Sequence, residues 1–258
     1  MSNEPRKMVV VGTGGVGNWL SRGLAMLLAH KYPGSVLLLV DGDTFESKNA
    51  ERQFFKDVGK KAVVLASELQ AMYPNTFIVP DDRWVISEDS TDESGVKPSD
   101  LLEENDVVFA TVDNFAARKL LFDAGRKFDN IDIFTGGNDD ELFGSVYHYQ
   151  RRNGEDVTDH PAEYHAELEN PPDRNPGELS CQERAELEGG TQLTAVNMAV
   201  SSMLLGRTHV TIVENKEDEA AEIMFDLATG EASSYDRRVI EETVDLTENN
   251  QPLAELSK

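Results

Sequence analysis

Four of the residues in Gly12-Thr13-Gly14-Gly15-Val16-Gly17 are glycines, and the segment follows directly on the apolar run Met8-Val9-Val10-Val11. Glycine lets a backbone approach phosphate oxygens closely, and the N–H groups that open a following helix can donate to them. The segment therefore reads as a nucleotide-phosphate loop, with a merely tight strand-to-helix turn as the bland alternative. Asp41 ends the next apolar run, at about the spacing where a carboxylate meets a ribose hydroxyl pair. A nicotinamide or an adenine nucleotide would satisfy both features, so they do not separate redox chemistry from adenylation.

The cations that follow do separate them. Asp41-Gly42-Asp43 leads into Asn49, Arg52 and Gln53, and then into Val58-Gly59-Lys60-Lys61. An acidic residue followed closely by Arg and Lys suits a triphosphate better than a hydride carrier. Further on, Ala110-Thr111-Val112-Asp113-Asn114 puts an acid at the C-terminal end of an apolar run. Ligands collect at that edge in a doubly wound sheet.

In this order the motifs resemble the ThiF/MoeB/HesA family, relatives of the ubiquitin-activating enzymes, over residues 8–150. The pattern is a glycine loop with paired central glycines, Asp-x-Asp, Asn-x-x-Arg-Gln, a Val-Gly segment ending in Lys, and an Asp-Asn strand end. The resemblance implies an ATP-dependent adenylyltransferase that activates a carboxylate with Mg²⁺, working as a homodimer. Its acyl substrate would be the C-terminus of a small ubiquitin-like or sulfur-carrier protein, or of a peptide. By position, Gly12, Gly14, Gly15 and Gly17 would cradle the nucleotide, with Asp43 and Asn114 beside it, and Asp41 would hold the ribose. Asn49, Arg52 and Gln53 would line the phosphates and the reaction site, Lys61 would contact the phosphates, and Asp113 would bind Mg²⁺. Lys60 rivals Lys61, because the segment is one residue shorter than the family's spacing. Fixed cations suit the reaction, since a carboxylate attacking phosphorus adds charge to an anionic centre.

Cys181 is the one cysteine. Some relatives carry near this position a cysteine that attacks the adenylate, and an exposed loop thiolate is a good acyl acceptor. Glu178, Glu183, Glu186 and Glu188 would weaken it unless Arg184 compensates, so an incidental thiol stands as an equal reading. A lone cysteine excludes a structural zinc built from two Cys pairs. Relatives often supply an arginine from an N-terminal helix; here only Arg6 precedes the first strand, leaving Arg118, Arg151 or Arg152 as substitutes. No rhodanese-like or ubiquitin-fold segment follows, so a sulfur donor or conjugation partner is expected as a separate chain. His160 and His165 read as loop residues rather than metal ligands, and Trp19 and Trp84 as packing residues.

The elements that must position these groups alternate in type. Apolar runs predict strands at 7–11, 36–40, 76–79, 106–111, 131–135 and 145–149. Helical spacing predicts helices from Val16 to Lys31, over 60–72 and over 114–127. Such alternation indicates a doubly wound α/β fold with a mainly parallel Rossmann-like sheet. Residues 81–98 read as a solvated acidic excursion, and 151–190 as a long irregular crossover. A buried helix over 191–205 and strands at 223–227 and 233–235 form a C-terminal antiparallel extension. The expected organisation is an ATP-binding domain over 1–150, the crossover, a stretch over 191–240 that completes the same domain, and a polar tail over 241–258.

The 258 residues carry 24 Lys+Arg against 48 Asp+Glu, a formal charge of -24. Such a balance repels nucleic acid and anionic membranes. No apolar run approaches the roughly 20 residues of a membrane span, and the polar start is not a signal peptide; the expected compartment is the cytoplasm. A non-catalytic nucleotide-binding or partner subunit of the same family, and an NAD-dependent oxidoreductase, remain as alternatives.

Overall fold

The computed structural model describes residues 4–46, 50, 53–138, 142–179 and 193–239. Asn49, Arg52, Cys181 and the 241–258 tail lie outside the described residues.

One sheet of nine strands organises the molecule. Its parallel part comprises β1 (Lys7–Val11), β2 (Val36–Val40), β5 (Phe77–Asp81), β6 (Val107–Ala110) and β7 (Ile131–Asn138). β7 then pairs antiparallel with β8 (Phe143–Arg152), which pairs with β10 (Glu222–Asp226), and that with β11 (Glu231–Tyr235). The order across the sheet is β11-β10-β8-β7-β6-β1-β2-β5, with β9 (Glu155–Asp156) on the side of β8. A small ribbon of β3 (Thr44–Phe45) and β4 (Gly59–Lys60) stands apart.

Helices cover both faces, which is why the central strands read as unbroken apolar runs. Met8 and Val10 of β1 enter one core with α1 (Gly15–Lys31), α2 (Lys61–Met72) and a late helix, α6 (Thr194–Thr208). Val9 and Val11 enter the other, with α3 (Pro98–Leu101), α4 (Phe115–Gly125) and α5 (Ala166–Glu169). α1 stops at Tyr32, ahead of Pro33 and of Gly34 at φ 85°. Pro80 is accommodated because β5 is the sheet edge, where a missing ladder N–H is tolerated.

Two expectations change. The excursion over 81–98 is not wholly solvated: Val85, Ile86 and Val96 are buried, and Val85 and Val96 form a bridge. Three apolar residues scattered in an acidic frame carry no period, so tertiary packing alone reveals them. The crossover, as far as it is described, is also less irregular than expected. It contains β9, two 3₁₀ turns (Pro161–Glu163 and Pro176–Glu178) and α5.

Candidate active site

The C-terminal ends of β1, β2 and β6 bring the glycine loop, the Asp41–Asp43 turn and Asp113 to one edge of the sheet. Gly12 has φ +90°, and a Cβ there would lie 2.8 Å from the carbonyl of Thr111. A Cβ on Gly17 would strike the carbonyl of Gly12. These two glycines let β1, α1 and β6 approach one another. Gly14 is different: the nearest neighbour of a Cβ there is Nε2 of Gln53, at 3.7 Å. Gly14 is also the N-cap of α1, which has no side-chain cap and no acid in its first turn. The N–H groups and positive end of α1 therefore remain available to an anion.

Asp41 shapes this loop. Its Oδ2 accepts from the backbone N–H (2.7 Å) and hydroxyl (3.0 Å) of Thr13, and its Oδ1 accepts from the N–H of Asp43 (2.9 Å). A carboxylate has about four acceptor positions, so roughly one is left for a ribose hydroxyl. Asp43 receives the ammonium of Lys61, whose side chain is only 8% exposed, and the carbonyl of Asp43 accepts the N–H of Lys61 at 3.1 Å. Lys60 turns elsewhere, donating to the carbonyl of Gly42 at 2.8 Å. Of the two rival lysines, Lys61 is the one held against the Asp-x-Asp turn by a side-chain ion pair.

Gln53 lies over the glycine loop, and its buried Oε1 has no partner among the described residues. The chain just after it is gripped by two helices. Arg22 of α1 donates to the carbonyl of Phe54 (3.0 Å) and pairs with Glu68 of α2 (2.9 Å), which also accepts the N–H of Lys56 at 2.6 Å. Trp84 packs its ring on Gly42, and Trp19 stacks on Phe54.

Asp113 is exposed at the end of β6, and its carboxylate has no partner among the described residues. Asn114 is the N-cap of α4, with its Oδ1 accepting from Ala117 N–H at 2.8 Å. Arg118 donates to the carbonyls of Val112 (2.9 Å) and Gly136 (3.3 Å) at the same sheet edge. Arg151 and Arg152 do not belong there. Arg151 stands opposite Ile131 and Arg152 pairs with Asp132, at the N-terminal end of the parallel strands. The antiparallel direction of β8 carries both away from the ligand edge.

One histidine expectation changes. His160 is not in a solvated loop but packs edge-on against Phe122 and Tyr149, where burial and the charge of Arg126 hold its imidazole below the ordinary range. His165 pairs with Glu222 at 2.8 Å. His148 is wedged between Asp132 (3.0 Å) and Asp218 (2.7 Å), stacked on Phe134. Sequence reasoning missed Arg22, Glu68 and Asp173, whose carboxylate caps α4. Each partner lies tens of residues away, and no local pattern marks it.

Among the described residues no cluster of three His, Cys, Asp or Glu side chains could hold a metal by itself, and no helix is long and apolar enough to cross a membrane. No curated protein sequence matches the chain. Its fold is shared by MccB of E. coli with MccA, at TM-score 0.61 and 18% identity over 91% of this chain and 65% of that one. MccB with ATP aligns at TM-score 0.59 and 18% identity, over 90% and 64%. PaaA aligns at TM-score 0.60 and 15% identity, over 91% and 65%. The chain thus spans about two thirds of the length of these structures. The ThiF family model matches residues 4–237, strands, crossover and C-terminal extension together, and the protein belongs to the ThiF family.

Proposed function

We propose that the protein is an adenylyltransferase that activates the C-terminal carboxylate of a peptide or small protein with MgATP. The observation that carries this reading is the uncapped N-terminus of α1, set behind a glycine loop at the same sheet edge as Lys61, Asp41 and Asp113. Family membership supports it, as do the MccB structures with ATP and with MccA.

In this reading the α1 N–H groups and Lys61 hold the triphosphate, and the remaining acceptor of Asp41 takes a ribose hydroxyl. Trp84 on Gly42 would wall the nucleoside. Asp113 fits Mg²⁺ because that ion is usually bound through one or two carboxylates together with substrate phosphates, without a full protein cage. Bound there, the ion would offset charge on the phosphates. The substrate carboxylate attacks the α-phosphorus, forming an acyl-phosphate oxygen bond. The bond to the bridging oxygen breaks, and pyrophosphate carries away its electron pair. Lys61 and the helix N-terminus offset the developing charge. Arg52 is assigned to the reaction site by the family motif, Cys181 to a subsequent acyl transfer, and the working unit is a cytoplasmic homodimer.

ATP–pyrophosphate exchange dependent on a carrier or peptide C-terminus tests this reading. Lys61→Ala and Asp113→Ala should each lower exchange about 100-fold or more. Full exchange in both variants would sink the assignment, and ATP binding without exchange in the native protein would show a binding subunit instead.

A further inference from the structure

The crossover reaches back to the site through one side chain. Asp173 accepts the N–H of Phe115 on Oδ2 (2.8 Å) and the N–H of Ala116 on Oδ1 (2.9 Å). With Asn114 accepting from Ala117, side chains fill the first three N–H groups of α4. Asn114 supplies the usual N-cap bond to Ala117, and the two N–H groups before it would otherwise be left to solvent. Their acceptor comes from a segment 58 residues away in sequence. Charge-assisted bonds to two successive N–H groups fix direction as well as energy.

The segment that carries Asp173 is itself anchored on its far side. Asn175, 4% exposed, donates to the carbonyl of Val85 at 2.8 Å and accepts the N–H of Gly177 at 3.1 Å. Glu178 accepts the N–H of Ser87 at 3.1 Å. Residues 173–178 thus link the first turn of α4 to the 84–87 stretch, where Trp84 rests on Gly42.

We propose that Asp173 is a positioning residue for Asp113. It clamps the first turn of α4, so that the residue just before the N-cap presents its carboxylate from a fixed backbone. The negative charge of Asp173 is spent on the α4 N–H groups, so it supports Asp113 without competing for the same cation. This inference rests on the reading of Asp113 as the magnesium-binding group.

The test uses the full-length protein and a fluorescent ATP analogue titrated at increasing MgCl₂, with amide exchange followed at Phe115 and Ala116. Asp173→Ala should raise the magnesium concentration for half-maximal tight binding about fivefold, of the order of one lost cap. Binding in EDTA should stay unchanged, and exchange at both amides should accelerate. Asp173→Asn keeps one acceptor oxygen and should recover part of the loss; it also serves if the alanine variant does not fold. Faster exchange with native magnesium dependence in the Asp173 variants would overturn the inference. If Asp113→Asn itself leaves the magnesium dependence unmoved, the reading of Asp113 falls, and the inference with it. A shift in Asp113→Asn with none in the Asp173 variants defeats the inference alone.

Discussion

At the scale of single residues, the glycine loop divides its labour. Gly12 and Gly17 are required by backbone crowding, whereas Gly14 has room for a methyl group. Gly17→Ala should therefore destabilise by about 2–3 kcal/mol through forced displacement of packed backbone. Gly14→Ala should cost only about 1 kcal/mol, the difference between glycine and alanine at an N-cap, yet weaken ATP binding, because its Cβ would stand beside the phosphate approach. Thermal melts and nucleotide titrations on the two variants separate these outcomes; equal losses of stability would contradict the division. All four glycines were visible as a motif, but their separate duties were not, since identical residues differ here only in what lies opposite them. Lys61 shows the same limit: two adjacent lysines are equivalent on paper until the Asp43 carboxylate pairs with one of them.

At the scale of elements, a buried charge network joins β7, β8 and the chain after α6. His148 lies between Asp132 and Asp218, while Arg152 pairs with Asp132 and Arg207 with Asp218. Burial opposes a charged His148, but its bonds to the two carboxylates outweigh burial and raise its pKa above the ordinary value. Burial likewise opposes the charge of Asp132 and Asp218, yet bonds from His148 and the nearby arginines hold both below the usual carboxylate range. The stability from His148 is complete below its unfolded pKa of about 6.5 and is lost as pH rises through the raised folded value. The contribution of the two carboxylates is present above their unfolded pKa and lost as pH falls through the depressed values. His148→Gln should cost about 3 kcal/mol near pH 6, and the gap from native should narrow as pH rises. Urea titrations from pH 5 to 9 check this, and a gap that widened on the alkaline side would refute it. The strands of this network were readable from their apolar runs, though shorter than they are. The network itself was not, because it joins positions 16 and 70 residues apart.

At the scale of the whole molecule, the charge of -24 repels itself across the surface. Raising ionic strength from about 0.05 to 0.5 M shortens the Debye length severalfold and should raise the melting temperature; a fall would show that specific surface pairs outweigh the repulsion. The sequence by itself determined the alternation of strands and helices, the parallel core and the motifs at its edge. Each of these rests on contacts within a few residues or on a period along one element. Only the tertiary structure decided which strand end each arginine occupies, which lysine meets Asp43, and that Asp173 reaches α4 from the crossover. Those outcomes depend on chain direction and on partners far apart in sequence. A run of residues records its own periodicity, but not the group that packing will place against it.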